Sequence, residues 1–228
     1  VSGGLTNTSY WRKDRFYYSG DKQLSSKKHY LGGNVKAGLN YNLDDYNNVF
    51  FNTGFISRAP IFDNTFINSQ SSHERNPDAK NEKVYSFELG YGYRSQYFSA
   101  NVNAYYTMWK DKALYDTGSY EDVNGASQRW TMNMTGAQAN HMGIELDFIA
   151  KPFRWMEVNG MFSWGDWRWN GTAKGFMMNT EGQIMANSRG EVVTDMSNVD
   201  QYKYTIEMDN VQAVSYTHLR AHETPEHL

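Results

Sequence analysis

The chain has 228 residues, 39% of them hydrophobic, enough for one large domain or part of a bigger one. It contains no cysteine, which excludes disulfide staples, zinc–thiolate sites and thiol catalysis. A formal net charge of -3, with Lys and Arg scattered, leaves no basic field for nucleic acid. No stretch approaches the roughly 18 continuous apolar residues of a transmembrane helix, but a membrane barrel needs only alternation. The start at Val1, without a signal-peptide pattern, leads us to expect a cut left end.

Period-two patterning runs through nearly the whole chain, with no convincing helical stripe. "GNVKAGLNY" sets Gly33, Val35, Ala37, Leu39 and Tyr41 against Asn34, Lys36, Gly38 and Asn40, and "VFFNTGFIS" follows with Val49, Phe51, Thr53 and Phe55. "EKVYSFELGYGYR" places Tyr85, Phe87, Leu89, Tyr91 and Tyr93 on one face and Ser86, Glu88, Gly90 and Gly92 on the other. "FSANVNAYYTMW" sets Phe98, Ala100, Val102, Ala104, Tyr106 and Met108 against Asn101, Asn103, Tyr105 and Trp109. "GIELDFIA" and "WMEVNGMFSWG" repeat the pattern with Ile144, Leu146 and Phe148, then Met156, Val158, Phe162 and Trp164. Successive side chains of a strand point to opposite faces, so each segment has one oily and one wet face.

The connections alternate between short and long. Residues 42–47, 94–96 and 151–154 read as tight turns, while 12–28, 59–82, 110–138 and 169–201 read as long polar segments. This order predicts an all-β fold: an antiparallel up-and-down meander of about eight strands, each of about 10 to 14 residues. A tilted membrane strand needs about 9 to 11 residues to cross. Aromatics gather beside the short turns (Tyr41, Tyr46, Tyr93, Tyr97, Phe153, Trp155), where their rings suit a membrane–water interface. On the four strands between 84 and 164 the oily face carries no Asp, Glu, Lys or Arg; the first charges at that parity are Asp166 and Arg168. Length, loop asymmetry and aromatic rims together predict that the oily face meets lipid.

"FISRAPIFDNTF", with Arg58, Ala59 and Pro60, is followed by "NPDAKNEKVYSFELGYGYR", with Asn76, Pro77, Asp78, Glu82 and Glu88. These elements resemble the barrel of TonB-dependent outer-membrane receptors. Ala79 and Asn81 stand where that family has Leu and Pro. "NAYYTMWKDKAL" and "HMGIELDFIAKPFRWMEVNGMFSWGDWRWN" resemble the same family, especially members from Bacteroidetes. The resemblance implies a barrel of about 22 strands around an N-terminal plug, which the TonB complex pulls to admit a scarce nutrient across the outer membrane of a Gram-negative bacterium. That nutrient would be a ferric siderophore, haem, cobalamin or an oligosaccharide, the last with a surface lipoprotein as a further partner. Residues 1–213 are then an open portion of the barrel wall, with plug, TonB box and terminal strand expected to be absent. Too few strands to close at receptor diameter predict a curved open sheet.

Within that frame Pro60, which donates nothing to a ladder, is expected to end strand pairing, and Asn76-Pro77-Asp78 to turn the chain back into the sheet. Glu88, Asn101 and Asn103 are candidate lumen contacts; a solvated strand carboxylate is the competing reading for Glu88. Trp109, Trp130, Trp167 and Trp169 are candidate loop contacts able to stack on flat chelates or sugars, with girdle and loop packing as the competing reading. No nucleophile–base constellation appears, so no catalytic role, cofactor or metal site is assigned. His29, His73 and His141 read as isolated surface or packing residues, and Met132, Met134, Met177 and Met178 as flexible loop or lipid-facing positions. Residues 214–228 lack alternation and read as a non-native translated tail; His222, Glu223 and His227 miss the spacing of a zinc helix. Two rival functions remain: a secreted β-sandwich that binds glycans and a passive porin.

Overall fold

The structure, a computed structural model, describes residues 1–67, 72–122 and 124–223, without the side chains of Met196, Val199 and 213–223. Strands β1 (Ser2–Tyr10), β2 (Lys28–Asn42), β3 (Asn47–Arg58), β4 (Glu82–Arg94), β5 (Phe98–Glu121), β6 (Ser127–Phe153), β7 (Met156–Asn179) and β8 (Tyr204–Glu223) form one sheet. They stand in chain order, each antiparallel to the next, and β1 and β8 are the edges. This is the open meander the alternation predicts. A single sheet with no second sheet among the described residues also removes the β-sandwich alternative. One helix turn, α1 (Phe62–Thr65), and two 3₁₀ segments are the only helical pieces described, and no helix is long and apolar enough to cross a membrane.

Register lines up the oily residues of neighbouring strands. Phe51 lies opposite Leu89, Leu89 opposite Ala104, Ala104 opposite Ile144, and Ile144 opposite Trp164. Tyr91, Val102, Leu146 and Phe162 form the next row toward the tight turns. These side chains stay open to the surroundings: Leu89 is 57% exposed and Leu39 75%. No layer of the described chain covers them. Charges frame the belt at its far edge, where Lys110 reaches over the Tyr85 ring at 5.7 Å and Arg168 Nε donates to both oxygens of Asp166 at 2.9 Å.

The tight turns close one rim. In the β2–β3 turn Asp44 Oδ1 accepts from the amides of Tyr46 and Asn47 at 2.8 Å, a side-chain imitation of a backbone turn. At the opposite rim the structure corrects two expectations. Residues 110–121 and 127–138 are not loop: β5 and β6 continue through them until the Asp122 amide donates to the Ala126 carbonyl, and β7 runs on to Asn179. These strands have 24 to 27 residues, well beyond the expected length. Bulges at Trp109/Lys112, Lys112/Leu114 and Thr135/Gln138 interrupt the ladder, with Asp111 (φ 57°) and Gly136 (φ 95°) in the left-handed region. Each extra residue shifts the face assignment by one, so the alternation fails although the strand persists.

The buried core of the described residues sits on this extension, not beneath the belt. Met132, Met134, Ala137, Ala173, Met177 and Met185 pack together, flanked by Leu114, Tyr120, Trp130, Trp169 and Tyr204. The methionines are therefore core residues, correcting the loop or lipid-facing assignment. Backbone pairing of β8 continues to Glu223, beyond the expected wall boundary at 213, while residues 224–228, and with them His227, lie outside the described residues.

An arginine on the apolar row is expected to destabilise the folded protein in vesicles. Leu89→Arg should lower the unfolding free energy by about 2–4 kcal/mol in denaturant titrations, and Asn103→Arg on the opposite face by clearly less.

Candidate functional site

Arg58, at the end of β3, and Glu82, opening β4, face each other in register. Arg58 Nε and Nη2 both donate to Glu82 Oε2, at 3.0 and 2.8 Å, and the amide of Ala113 donates to Glu82 Oε1 at 3.0 Å. Glu82 is only 2% exposed, so burying its charge requires these donors. One carboxylate thus ties β3, β4 and β5 together where they leave the belt. Beside it the ammonium groups of Lys80 and Lys83 reach Asp111 at 2.7 and 3.5 Å. Burial acts to raise the Asp111 pKa, but the hydrogen bond and charge of Lys80, with Lys83, outweigh it and hold the carboxyl below its ordinary value.

The rest of the motif docks the β3–β4 loop. Ala59 is half-buried; Pro60 is buried and its carbonyl accepts from Tyr10 Oη at 3.0 Å. Asn76 closes an Asx turn onto the Asp78 amide (3.0 Å) and donates to the Asn64 carbonyl (3.0 Å). Asn64 donates in turn to the Met134 carbonyl on β6 at 3.2 Å, and Lys203 reaches Asp78 from the β7–β8 connection at 3.2 Å. Pro77 lines a small cavity of about 160 Å³ between this loop and Phe176 and Met178. The Arg-Ala-Pro and Asn-Pro-Asp elements are structural joints in this fold.

On the polar face Glu88 accepts from Asn52 Nδ2 and from Asn103 Nδ2, both at 3.1 Å, and Asn103 also lies 3.3 Å from Glu145 Oε2. Glu88 opens onto a hollow of about 560 Å³ shared with Lys36, Ser86 and Thr107. Asn101 lies closer to the tight turns, in a polar basin with Asn48 and Arg94.

Above Glu88 the register assembles an aromatic ledge from two of the candidate tryptophans, Trp109 and Trp167, with Tyr105 and His141, which the sequence did not single out as site residues. Trp167 Nε1 donates to Tyr105 Oη at 3.1 Å, and His141 stacks on Trp167 with centroids 5.0 Å apart at 22°. Trp109 stands 6.4 Å from His141, with Arg58 and Lys112 over its ring at 5.1 and 4.7 Å. Gly143 and Gly165 make room: a Cβ on Gly143 would meet Tyr105 Oη at 2.6 Å. His141 is thus not isolated, and neither is His73, stacked on Tyr18 at 4.0 Å, nor His29, 2.8 Å from Ser9 Oγ. The four tryptophans do not form one cluster. Trp109 and Trp167 belong to the ledge, whereas Trp130 and Trp169 pack on the methionine core.

A polar face backed by an apolar face that no layer of the described chain covers suits lipid on one side and water on the other. The family model described as TonB dependent receptor-like, beta-barrel, matches residues 1–223. The chain belongs to the TonB-dependent receptor family. Its members are outer-membrane receptors and transporters, whose barrels turn an apolar belt to lipid and a polar face to the lumen. No curated protein and no solved structure matches the chain. In this receptor wall the Arg58–Glu82 joint stands at the end of β3 and the start of β4, where the chain enters and leaves the β3–β4 connection.

Two outcomes test the joint. Glu82→Ala strips the partners from Arg58 and the Ala113 amide and is expected to cost about 1–3 kcal/mol, with faster hydrogen exchange at 110–114. Asp111, its folded pKa depressed, contributes stability above its ordinary value of 3.8 that is lost as the pH falls through the lower folded value. Asp111→Asn, which tolerates the left-handed backbone, should flatten that acid limb of the unfolding curve.

Proposed function

We propose that this wall belongs to a receptor that imports a scarce, bulky nutrient across the outer membrane of a Gram-negative bacterium, a member of the Bacteroidetes. Import is driven by the TonB complex acting through a plug within the same receptor. The observation that carries this reading is the lumenal ledge above Glu88: stacked rings flanked by cations and followed inward by amide and carboxylate groups. Trp167 and His141 offer flat faces, Arg58 and Lys112 supply positive charge, and Asn103 and Glu88 offer hydrogen bonds further down. Such a descending series suits a ligand with a flat or aromatic part and several oxygens, a description that covers ferric siderophores, haem, cobalamin and oligosaccharides. Trp130 and Trp169 act by holding the extended strands upright, and a surface lipoprotein is the partner expected in the oligosaccharide case.

Uptake of labelled candidate nutrients by cells carrying the complete receptor tests this. Uptake should vanish without TonB, and Trp167→Ala should raise the half-saturating concentration about tenfold at unchanged surface abundance. Uptake that persists without TonB and is indifferent to Trp167 would mark a passive pore instead.

A further inference from the structure

Beside the aromatic ledge, the polar face holds two opposite charges that the ledge leaves unused. The register sets Lys36, Gly54, Ser86 and Thr107 side by side on β2 to β5. Gly38, Asn52, Glu88 and Tyr105 form the next row toward the tight turns. Both rows border one hollow of about 560 Å³. Gly38 and Gly54 leave its floor bare: a Cβ at Gly54 would meet Ser86 Oγ at 2.9 Å and Lys36 Cγ at 3.6 Å, and one at Gly38 would meet Asn52 Oδ1 at 2.5 Å. The stem of Lys36 therefore leans across Gly54, in the direction of β4.

Lys36 and Glu88 are the only charged side chains among the described lining residues. Neither is ion-paired with any described residue, the other included. Glu88 is held by amides alone, Asn52 Nδ2 on Oε2 and Asn103 Nδ2 on Oε1, both at 3.1 Å. Its position is thus fixed while its charge stays uncompensated. Glu145, 3.3 Å from the same Asn103 Nδ2, adds negative charge on that side. The ammonium of Lys36 only donates and the carboxylate of Glu88 only accepts, so the hollow presents one group of each kind. Ser86 and Thr107 add hydroxyls to it, and Tyr105 a ring.

A simple ion satisfies one of these groups and is repelled by the other, and a neutral polyol leaves both charges unanswered. A ligand that carries an ammonium and a carboxylate together answers both. Lys36 and Glu88 stand two strands and two residues apart in the register, about 12 Å between backbones, and the lean of Lys36 shortens this. Two hydrogen bonds of about 3 Å each, with the short span between the charges of one amino acid, cover about 9 Å. A peptide whose charged ends lie several residues apart is too long. With the import reading of this wall as its basis, we propose that the hollow binds the zwitterionic head of an α-amino acid. Its carboxylate meets Lys36, its ammonium meets Glu88, and Tyr105 walls the side chain. That head belongs either to a free amino acid or to the amino-acid end of a larger compound.

Saturation-transfer NMR titrations on the complete receptor in lipid nanodiscs test the proposal. The probes are L-phenylalanine and Nε-benzoyl-L-lysine, each beside its N-acetyl and carboxamide derivatives. Capping either charge should weaken binding about tenfold, the effect of one lost charge-assisted hydrogen bond. Lys36→Met should erase the penalty for the carboxamide and keep that for the N-acetyl form, and Glu88→Gln should do the reverse. Unchanged far-UV circular dichroism checks that both variants fold. Binding of both probes marks the free head as sufficient, whereas binding of Nε-benzoyl-L-lysine alone marks the end of a larger compound. The proposal is overturned if neither probe binds, if the capped forms bind as well as the zwitterions, or if both variants weaken every form alike. Uptake that persists without TonB would sink the import reading and leave these ratios standing; ratios lost in a receptor with TonB-dependent uptake would sink the zwitterion site alone.

Discussion

Everything in this fold depends on a solvent that can accept a continuous apolar face. Eight strands in register display Phe51, Leu89, Ala104, Ile144 and Trp164 side by side, and no second layer of the described chain covers them. In water an uncovered row of this kind would drive association with other copies. In hydrocarbon it is the stable arrangement, because the ladders satisfy the backbone groups between strands and leave only side chains to meet lipid. The sheet thus needs no core of its own within the membrane.

A core appears only where the lipid ends. At roughly 3.3 Å per residue, strands of 24 to 27 residues extend about 80 Å, and a tilted strand uses only about 40 Å of that in crossing a 30 Å hydrocarbon layer. The remainder stands in water and must bury its apolar side chains in the ordinary way. Met132, Met134, Met177 and Met185 do so against Trp130 and Trp169. Methionine suits this position: an unbranched thioether fills the irregular space that bulged, twisted strands leave between them.

This division explains what could be read from the sequence. Within the membrane one face meets a uniform medium, so alternation survived and gave strand, register and lipid face directly. Above the membrane three effects broke the period: bulges at Asp111 and Gly136, burial on both faces around 131–135, and polar residues paired with docking loops. The Arg58 and Glu82 positions were visible as a motif, but their partnership, and the Ala113 amide that completes it, needed the register. His141 and Tyr105 carried no signal at all in sequence. They become a site only because β5, β6 and β7 bring positions 105, 141 and 167 together, with glycine at 143 and 165 leaving the space.

The joint and the ledge are physically one construction. Glu82 holds Arg58 by two donors and the Ala113 amide by a third, which fixes the bulge between Trp109 and Lys112 from both sides. That bulge aims Lys112 back over the Trp109 ring, onto which Arg58 also leans. Trp109 is thereby placed near His141, and His141 against Trp167, so the orientation of these rings traces to one buried carboxylate where β4 begins. A charge buried there is costly unless every oxygen is engaged, and the same requirement that consumes its donors makes the joint geometrically strict. The electrostatic demand of Glu82 is thus what sets the aromatic ledge in place.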